Sequence, residues 1–483
     1  MNLDYLASIK PSHRQLDWQR MEMYAFMHFG MNTMTDREWG LGHEDPVLFN
    51  PADLDCDQWM ETFKAAGMTG VILTCKHHDG FCLWPSAYTD HSVASSPWKG
   101  GKGDVVREVS QAAHRHGLKF GVYLSPWDRT EATYGQGKAY DDYYVNQLIE
   151  LLTHYGPVFS VWMDGANGEG PNGKIQAYDW QRYFNVIRAL QPEAVISICG
   201  PDVRWCGNEA GKARKNEWSV VPASLSHAEW KMGKGELDQL ANPDWVVRSE
   251  DEDLGSRKVL EQYGGPLVWY PAEVDTSIRP GWFHHASEDD KVRTADELFD
   301  IWSTTVGGNA NLVLNVPSNA QGKISQPDVD SLTGLGRRIR EFWQGAVTEG
   351  AKVSVSSDAC GSDPQALLST GVDSGWWLAA ADDEHPTVTI DFDRPRQVDG
   401  LILREHIEVG QRVEQVVISA ELDGELRQVA EVGAIGYQHF AQVGPLTTSH
   451  LEVSVTRSRG PVALDTCLIR EGGHEDRVRQ TRG

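Results

Sequence analysis

Strand-like and helix-like patterns alternate through the first 345 residues of this chain, and this alternation constrains the fold more than any other feature. Short apolar runs of strand length occur at residues 24–30, 71–74, 120–124, 158–163, 195–198, 245–248, 266–270 and 312–316. Amphipathic segments that predict helices occur at residues 55–66, 104–116, 140–155, 178–190, 294–306 and 328–343. The pattern predicts a (β/α)8-like TIM barrel with insertions. The alternative, an open doubly wound sheet, usually carries a glycine-rich phosphate loop after its first strand, and this chain has none there.

The pattern changes after Gly345. Alternating apolar and polar residues replace helical spacing, at residues 387–392, 413–420, 451–455 and 463–470. We therefore predict a catalytic α/β barrel domain at residues 1–345 and an all-β sandwich domain at residues 346–483. The segment at residues 369–377 is either a carbohydrate-binding loop or a packing segment, and the polar end from Gly472 onward is predicted to be disordered.

Charge and cysteine content limit the partners of this chain. It has 69 acidic and 44 basic residues, a net charge of −25 that repels nucleic acid and anionic membranes, so a neutral partner is favoured. Its 18 tryptophans are many, and indole rings suit the faces of sugars, although core packing accounts for most of them.

Seven scattered cysteines show no disulfide or zinc pattern, and neither a signal peptide nor a long apolar run is present. We expect a cytoplasmic protein, and the sequence leaves its oligomeric state open.

Asp164 follows the apolar run at residues 158–163 and precedes a glycine-rich turn. A parallel barrel presents catalytic groups at the carboxyl ends of its strands, which makes Asp164 a candidate nucleophile. The alternative is that its carboxylate only caps the turn.

Other strand ends carry polar and aromatic side chains, which a parallel barrel gathers on one rim. They are His28, His77, His78, Tyr123, Trp127 and Trp162. Polar donors among aromatic walls are typical of a sugar pocket. A metal site is the rival interpretation of the histidines, and buried structural histidine is another. Adjacent residues on an extended strand point to opposite faces, and no HxH or HExxH spacing is present, so we expect no metal and no cofactor.

Glycoside hydrolysis requires a second carboxyl group besides Asp164. Four glutamates on later segments are candidates: Glu209, Glu217, Glu250 and Glu273. Glu209 lies between Gly207 and Gly211, where a ligand can approach the backbone closely, and this favours it. Glu250 lies in an acidic run that is equally typical of a solvated surface.

The ordered motifs resemble the α-L-fucosidases of glycoside hydrolase family 29. The resemblance extends from about residue 13 to residue 345, and the segment His77-His78-Asp79-Gly80-Phe81 is its most specific part. The other matching segments are Met27-His28-Phe29-Gly30-Met31, Arg37-Glu38-Trp39-Gly40, Phe49-Asn50-Pro51, Tyr123-Leu124-Ser125-Pro126-Trp127, Trp162-Met163-Asp164-Gly165, Arg204-Trp205 with Gly207-Asn208-Glu209, and Pro280-Gly281-Trp282-Phe283. The resemblance implies retaining exo-enzymes on a (β/α)8-like barrel with a C-terminal β-sandwich.

The resemblance also implies roles for matched positions. Asp164 corresponds to the nucleophile, and His28, Glu38, Trp39, His77, His78, Tyr123 and Arg204 correspond to residues that hold the fucose. In the branch selective for α-1,3/1,4-linked fucose the acid/base is a glutamate about 45 residues further on, which indicates Glu209. The run from Asn32 to Gly40 is also similar to that branch. His284 departs from the aromatic residue that the family pattern leads us to expect.

The leading hypothesis is a retaining exo-α-L-fucosidase acting on terminal α-1,3/1,4-linked fucose of branched, Lewis-type oligosaccharides. Trp127, Trp205 and Trp282 lie on loops where an aromatic rim would stack a second sugar. The alternatives are a fucosidase of broad specificity that also cleaves aryl and α-1,2-linked fucosides, a barrel glycosidase such as a galactosidase, and a non-catalytic carbohydrate-binding protein. The presence of both Asp164 and Glu209 argues against the last.

Overall fold

The computed structural model describes residues 2–227, 247–347, 349–369 and 375–471. Its helices are α1 Leu3–Ser8, α2 His13–Gln19, α3 Met31–Thr35, α4 Cys56–Ala66, α5 Val105–Arg115, α6 Lys138–His154, α7 Trp180–Leu190, α8 Arg257–Tyr263, α9 Ala295–Thr305 and α10 Gln326–Gln344. Its strands are β1 Met23–Met27, β2 Gly70–Lys76, β3 Lys119–Leu124, β4 Ser160–Met163, β5 Val195–Ile198, β6 Arg204–Trp205, β7 Val220–Pro222, β8 Leu267–Trp269, β9 Ala272–Ser277, β10 Ala310–Asn315, β11 Ala346–Val347, β12 Ala351–Val355, β13 Trp377–Leu378, β14 Thr387–Glu405, β15 Val413–Leu422, β16 Glu425–Val432, β17 His439–Ser458 and β18 Ala463–Arg470.

Eight parallel strands form a nearly closed barrel, as predicted. Their order is β5-β4-β3-β2-β1-β10-β9-β6, and a parallel bridge between Ser197 and Val203 joins the two ends of the sheet. Because all eight strands run in the same direction, their carboxyl ends open onto one rim. The (β/α)8-like barrel is therefore confirmed, and side chains from consecutive strand ends come together at that rim.

Two of the predicted barrel strands are wrong. The strand at residues 266–270 is present as β8, but it pairs antiparallel with β7 in a separate two-stranded ribbon. The strand at residues 245–248 lies partly outside the described residues, and its described part is not strand. The barrel instead uses β6 and β9, which the pattern missed because β6 spans only two residues and β9 carries Glu273 and Asp275 in a fully buried strand. Periodicity identifies strands by apolar residues, so buried acidic residues hide this one.

Capping residues mark the predicted ends of the helices α4 and α5. Asp55 accepts a 3.0 Å hydrogen bond from the backbone N–H of Gln58 at the start of α4, and Gly67 ends that helix in the left-handed region with φ of 88°. Asp104 caps α5 in the same way. Capping side chains satisfy backbone N–H groups that have no intrahelical partner, so these boundaries follow from residue type alone.

The C-terminal region is an antiparallel β-sandwich, as predicted. Its strands follow the order β11-β18-β14-β17-β15-β16, with β12 against β14 and β13 against β18. The long strands β14 and β17 carry a register shift between Asp391 and Arg396, where bulges bend them. Within the predicted loop at residues 369–377, residues 370–374 are outside the described range, while the Trp376 ring stacks on His406 with centroids 4.1 Å apart. The predicted disordered end, from Gly472 onward, also lies outside the described residues.

Candidate active site

Four neighbouring strands deliver the sequence-predicted polar residues to one place. His28 follows β1 directly, His77 and His78 follow β2, Tyr123 lies near the end of β3, and Asp164 follows β4. The rings of His28 and His77 have centroids 5.7 Å apart, and His77 stacks on Tyr123 at 5.7 Å with an interplanar angle of 10°. The structure therefore brings these side chains into a single cluster.

The carboxylate of Asp164 divides its two oxygens between different tasks. Oδ1 accepts a 2.7 Å hydrogen bond from the backbone N–H of Ala166, which is the turn-capping contact. Oδ2 accepts a 2.9 Å hydrogen bond from the hydroxyl of Tyr123 and lies 3.8 Å from Nε2 of His78. The side chain is 25% exposed although these neighbours are buried, so it is accessible to a ligand. One oxygen therefore caps the turn while the other faces the histidines, so the turn-capping role does not exclude a catalytic one.

His28 has a defined tautomer. Asn315, at the end of β10, donates from Nδ2 to Ser277 Oγ and to the Trp282 carbonyl, so its Oδ1 faces Nδ1 of His28 at 2.7 Å. An amide oxygen only accepts, so His28 carries its proton on Nδ1, and Nε2 is a free acceptor. Burial lowers the pKa of His28 to about 3, which keeps the imidazole neutral at physiological pH.

His77 has the opposite tautomer. The side-chain amide of Asn32 donates to the carbonyl of Glu38 at 3.0 Å, and the same Nδ2 lies 3.3 Å from Nδ1 of His77. Nδ1 of His77 is therefore an acceptor, and its proton resides on Nε2. Burial, and next the neighbouring His78, lower the pKa of His77 well below its usual value. His77 is a neutral ring with Nε2–H as its remaining donor.

His78 has the same tautomer as His28, not that of the adjacent His77. Ser125 donates its hydroxyl proton to the Trp127 carbonyl at 2.6 Å, so its oxygen accepts from Nδ1 of His78 at 2.7 Å. Nε2 of His78 is then an acceptor beside Asp164. Burial lowers the pKa of His78, and the Asp164 charge opposes this only partly. The three histidines thus offer an acceptor, a donor and an acceptor, a pattern suited to hydroxyl groups of a neutral ligand.

Trp162 lies below the cluster, inside the barrel. Its indole N–H donates a 2.7 Å hydrogen bond to Oε1 of Glu273, and its ring stacks on Tyr123 with centroids 5.3 Å apart. The other carboxylate oxygen of Glu273 accepts from the hydroxyl of Tyr24. Burial raises the pKa of Glu273 to about 7. With both oxygens engaged in the core, Glu273 supports Trp162 and is not available as the second carboxyl.

Three tryptophans form the mouth of the cluster. Trp39 is 54% exposed, and its ring meets Trp127 edge to face at 5.4 Å and His78 at 5.7 Å. Trp127 donates from its indole N–H to the Glu169 carbonyl at 3.0 Å, and Trp282 packs beside His28 with centroids 5.3 Å apart. Indole faces of this kind bind sugars and other flat apolar surfaces.

Glu38 joins two loops at the rim of the barrel. Its carboxylate accepts hydrogen bonds from the backbone N–H groups of Trp282, at 2.7 Å, and Phe283, at 3.1 Å. Nε2 of His285 lies 2.8 Å from the same carboxylate. Glu38 therefore joins its own loop to the loop that contains Trp282, and its contact with fucose stays a prediction.

Arg204 is fully buried and lies on the outer face of β6. It donates to Oε1 of Glu217 at 2.5 Å and to the carbonyls of Trp218 and Tyr270. Successive strand residues point to opposite faces, and the adjacent Trp205 donates to Oδ1 of Asp275 at 2.9 Å. The structure therefore does not bring Arg204 into the histidine cluster, and it removes Glu217 from the candidates for the second carboxyl.

Glu209 is exposed on the loop after β6. The hydroxyl of Thr276, at the end of β9, donates to the Glu209 carbonyl at 3.0 Å and anchors the loop to the barrel rim. Gly207 has φ of 100°, and a Cβ there would lie 2.2 Å from the Ser249 carbonyl, so only glycine fits. This contact brings the exposed Glu250 beside the same loop. Position alone thus leaves Glu209 and Glu250 as the two accessible candidates.

Sequence reasoning missed several residues that orient the cluster. Asn315 was accessible to the strand-end rule, since it ends β10. Asn32, Ser125 and Asp275 act on their neighbours through the tertiary contacts described above, and their sequence positions carry no signal for this. Burial raises the pKa of Asp275, the hydrogen bond from Trp205 opposes this, and the charge of Glu209 raises the pKa again.

Three further observations concern ions, thiols and membranes. Within the described ranges, no group of three or more His, Cys, Asp or Glu side chains is placed to hold a metal ion. All seven cysteines belong to the described part of the chain, none of them forms a disulfide, and only Cys360 is exposed. In those same ranges no helix is long and apolar enough to cross a membrane.

Comparison with known proteins identifies the family. The profile described as Alpha-L-fucosidase matches residues 8–341. The chain is 42% identical over 408 residues to Alpha-L-fucosidase 1 of Arabidopsis thaliana, covering 83% of this chain and 75% of the plant protein. A solved structure of a glycoside hydrolase 29 family member from an unknown rumen bacterium has a TM-score of 0.78 at 35% identity, covering 97% of this chain and 78% of that one. A Ruminococcus gnavus GH29 fucosidase in complex with fucose has a TM-score of 0.82 at 27% identity, covering 97% and 96%. The chain belongs to the α-L-fucosidase family, glycoside hydrolase family 29, and is an α-L-fucosidase-type glycoside hydrolase.

Proposed function

We propose that this protein is a retaining, exo-acting α-L-fucosidase that removes terminal α-1,3/1,4-linked fucose from branched, Lewis-type oligosaccharides. The observation that carries the mechanism is the placement of Asp164: an accessible carboxylate at a strand end, held by Tyr123 and Ala166 beside three neutral histidines. A retaining glycosidase needs a carboxylate that is fixed in direction and open to the anomeric carbon. Asp164 meets both conditions.

In the first step Oδ2 of Asp164 attacks the anomeric carbon of fucose, and the bond to the leaving oxygen breaks. Glu209 donates its proton to that oxygen, so the aglycone leaves as an alcohol and a fucosyl-enzyme ester remains. In the second step Glu209 removes a proton from water, which attacks the anomeric carbon and releases Asp164. Two inversions return the α-anomer. Glu209 is preferred over Glu250 because Thr276 anchors its loop to the barrel rim.

The histidines support fucose recognition. A hydroxyl group both donates and accepts, and the cluster offers acceptors at Nε2 of His28 and of His78, with a donor at Nε2 of His77. These rings are held neutral by burial, so a neutral sugar binds without displacing a charge. Tyr123 and Trp162 form the apolar floor. Trp39, Trp127 and Trp282 form the mouth, where the exposed indole of Trp39 offers a face to a sugar beyond the fucose.

The linkage preference rests on the family branch and on this mouth. Binding energy from a second sugar that stacks on the tryptophans is available to orient the scissile bond, so its loss lowers kcat as well as affinity. We expect Lewis-type trisaccharides to be cleaved with much higher kcat/KM than 2′-fucosyllactose or an aryl α-L-fucoside. Equal efficiency on 2′-fucosyllactose would favour the broad-specificity alternative, and the absence of turnover on every fucoside would favour a binding protein.

Stereochemistry tests the mechanism separately from the linkage. Proton NMR during cleavage of a Lewis-type trisaccharide shows which fucose anomer appears first, before mutarotation. Initial release of α-L-fucose is expected. Initial release of the β-anomer would contradict the retaining mechanism.

We also propose the domain boundary at residues 345/346. It is supported by the end of α10 at Gln344 and the start of β11 at Ala346, where helical structure gives way to antiparallel strands. Cytoplasmic residence stays a prediction that the free thiols are consistent with.

A further inference from the structure

His285 lies between two carboxylates at the barrel rim. Its Nδ1 is 2.5 Å from Oδ1 of Asp36, and its Nε2 is 2.8 Å from Oε1 of Glu38. A carboxylate only accepts hydrogen bonds, so an imidazole that bonds to both acceptors needs a proton on each ring nitrogen. The ring is therefore an imidazolium when both contacts are made.

These contacts join the two loops that carry the exposed Trp39 and the partly buried Trp282. Asp36 and Glu38 lie three residues and one residue before Trp39, while His285 ends the loop that follows β9 and contains Trp282. Glu38 also accepts from the backbone N–H groups of Trp282 and Phe283. Loss of the positive charge would leave both carboxylates of the first loop without the cation that ties them to the second loop.

We propose that His285, as an imidazolium, is a positioning residue for sugar binding, which holds Trp39 and Trp282 in place through Glu38. This inference rests on the proposed function, because it assumes that the sugar binds among these residues. His285 itself acts through its neighbours and need not touch the ligand.

Several charged groups surround the ring. From the loop after α3, they are Asp36 and Glu38. From its own segment, Nη1 of Arg279 donates to the His285 carbonyl at 3.3 Å, and Arg279 is neutralised by Asp289 and Asp328. His284 lies 3.5 Å from Asp289, and the backbone N–H of Glu288 donates to the His285 carbonyl.

The protonation of His285 predicts how sugar affinity changes with pH. Partial burial lowers the pKa of His285. The hydrogen bonds to Asp36 and Glu38 raise it by a larger amount, so the net pKa lies above the ordinary histidine value. A group with a raised pKa in the folded protein stabilises at low pH and loses this contribution as the pH rises through that pKa. Sugar affinity should therefore fall on the alkaline side. The pocket histidines have lowered pKa values and stay neutral over that range.

The experiment measures the Kd of L-fucose by calorimetry on the full chain, from about pH 5.5 to about pH 9, a range that spans histidine titration. For the wild type, Kd should be constant at low pH and rise at alkaline pH. Asp36→Asn removes one acceptor from a side chain that is 79% exposed, so the variant should fold, and its transition should move to lower pH. His285→Gln should bind roughly tenfold more weakly at low pH, with no alkaline transition.

A second histidine of the same chemistry provides the control. His450, on the C-terminal sandwich, lies 2.8 Å from Asp391 and 3.4 Å from Glu452, and its pKa is likewise raised, first by the bond to Asp391. His450→Gln should leave the fucose Kd and its pH profile unchanged. A wild-type Kd that is independent of pH, or an Asp36→Asn profile that superimposes on the wild type, would overturn the inference while leaving the fucosidase assignment intact. Absence of fucose binding by the wild type at every pH would overturn both.

Discussion

The hydroxyl of Tyr123 donates a 2.9 Å hydrogen bond to Oδ2 of Asp164 across two adjacent barrel strands. Because a parallel ladder fixes the relative height of β3 and β4, this bond aims the carboxylate in one direction. A hydrogen bond to a charged acceptor is worth about 1.5–3 kcal/mol, enough to hold a single side-chain orientation. The nucleophile proposed here is oriented by the sheet itself.

Replacement of that carboxylate is the first prediction. Asp164→Asn should retain the fold and abolish turnover, since the amide cannot form the fucosyl-enzyme ester. Circular dichroism and the initial rate on a Lewis-type trisaccharide check this. With azide, Asp164→Gly should form the fucosyl azide of inverted configuration, and wild-type rates in Asp164→Asn would exclude the assignment.

The second prediction separates Glu209 from Glu250. Glu209→Ala should lower kcat by roughly 100- to 10,000-fold on natural oligosaccharides, because leaving-group protonation is lost. An aryl fucoside with an acidic phenol should suffer less, and azide should give the retained fucosyl azide. Glu250→Ala is the matched control on the neighbouring loop and should stay close to the wild-type rate. The opposite pattern between these two variants would transfer the acid/base role to Glu250.

The third prediction concerns acid stability. His28 has a folded pKa of about 3, lowered by burial, whereas an unfolded histidine titrates near 6.5. Between these values the unfolded chain binds the extra proton, so the free energy of unfolding should fall as the pH falls, by up to about 1.4 kcal/mol per pH unit from this group. For His28→Gln, the free energy of unfolding, measured by urea titration at each pH, should therefore fall less steeply as the pH falls. Identical slopes for the two proteins would show that His28 is already accessible to protons when folded.

The fourth prediction is that EDTA leaves activity unchanged. Nδ1 of each pocket histidine makes a hydrogen bond to a protein side chain: Asn315, Asn32 or Ser125. These protein contacts set the tautomers, so no ion is needed to orient the rings. Rates on a Lewis-type trisaccharide before and after chelation and desalting check this. Loss of activity that one divalent metal restores would revive the metal-site hypothesis.

The sequence alone determined those features that depend on near neighbours in the chain. Asp55 with Gly67 defines α4, and the apolar runs before His28 and Asp164 define two barrel strands and the residues at their ends. Parallel strands in one barrel then require these ends to meet on a common rim. Capping and periodicity act within a few residues, so residue order is sufficient to show them.

Only the tertiary structure decided which groups each side chain meets. Glu38 turns to the Trp282 loop, more than two hundred residues away, and Arg204 turns outward because Trp205 takes the inner face of β6. The strand β9 holds Glu273 and Asp275 in the core because Tyr24, Trp162 and Trp205 donate to them. Burial of a charged group is stable only with such partners, and partners distant in sequence leave no local pattern.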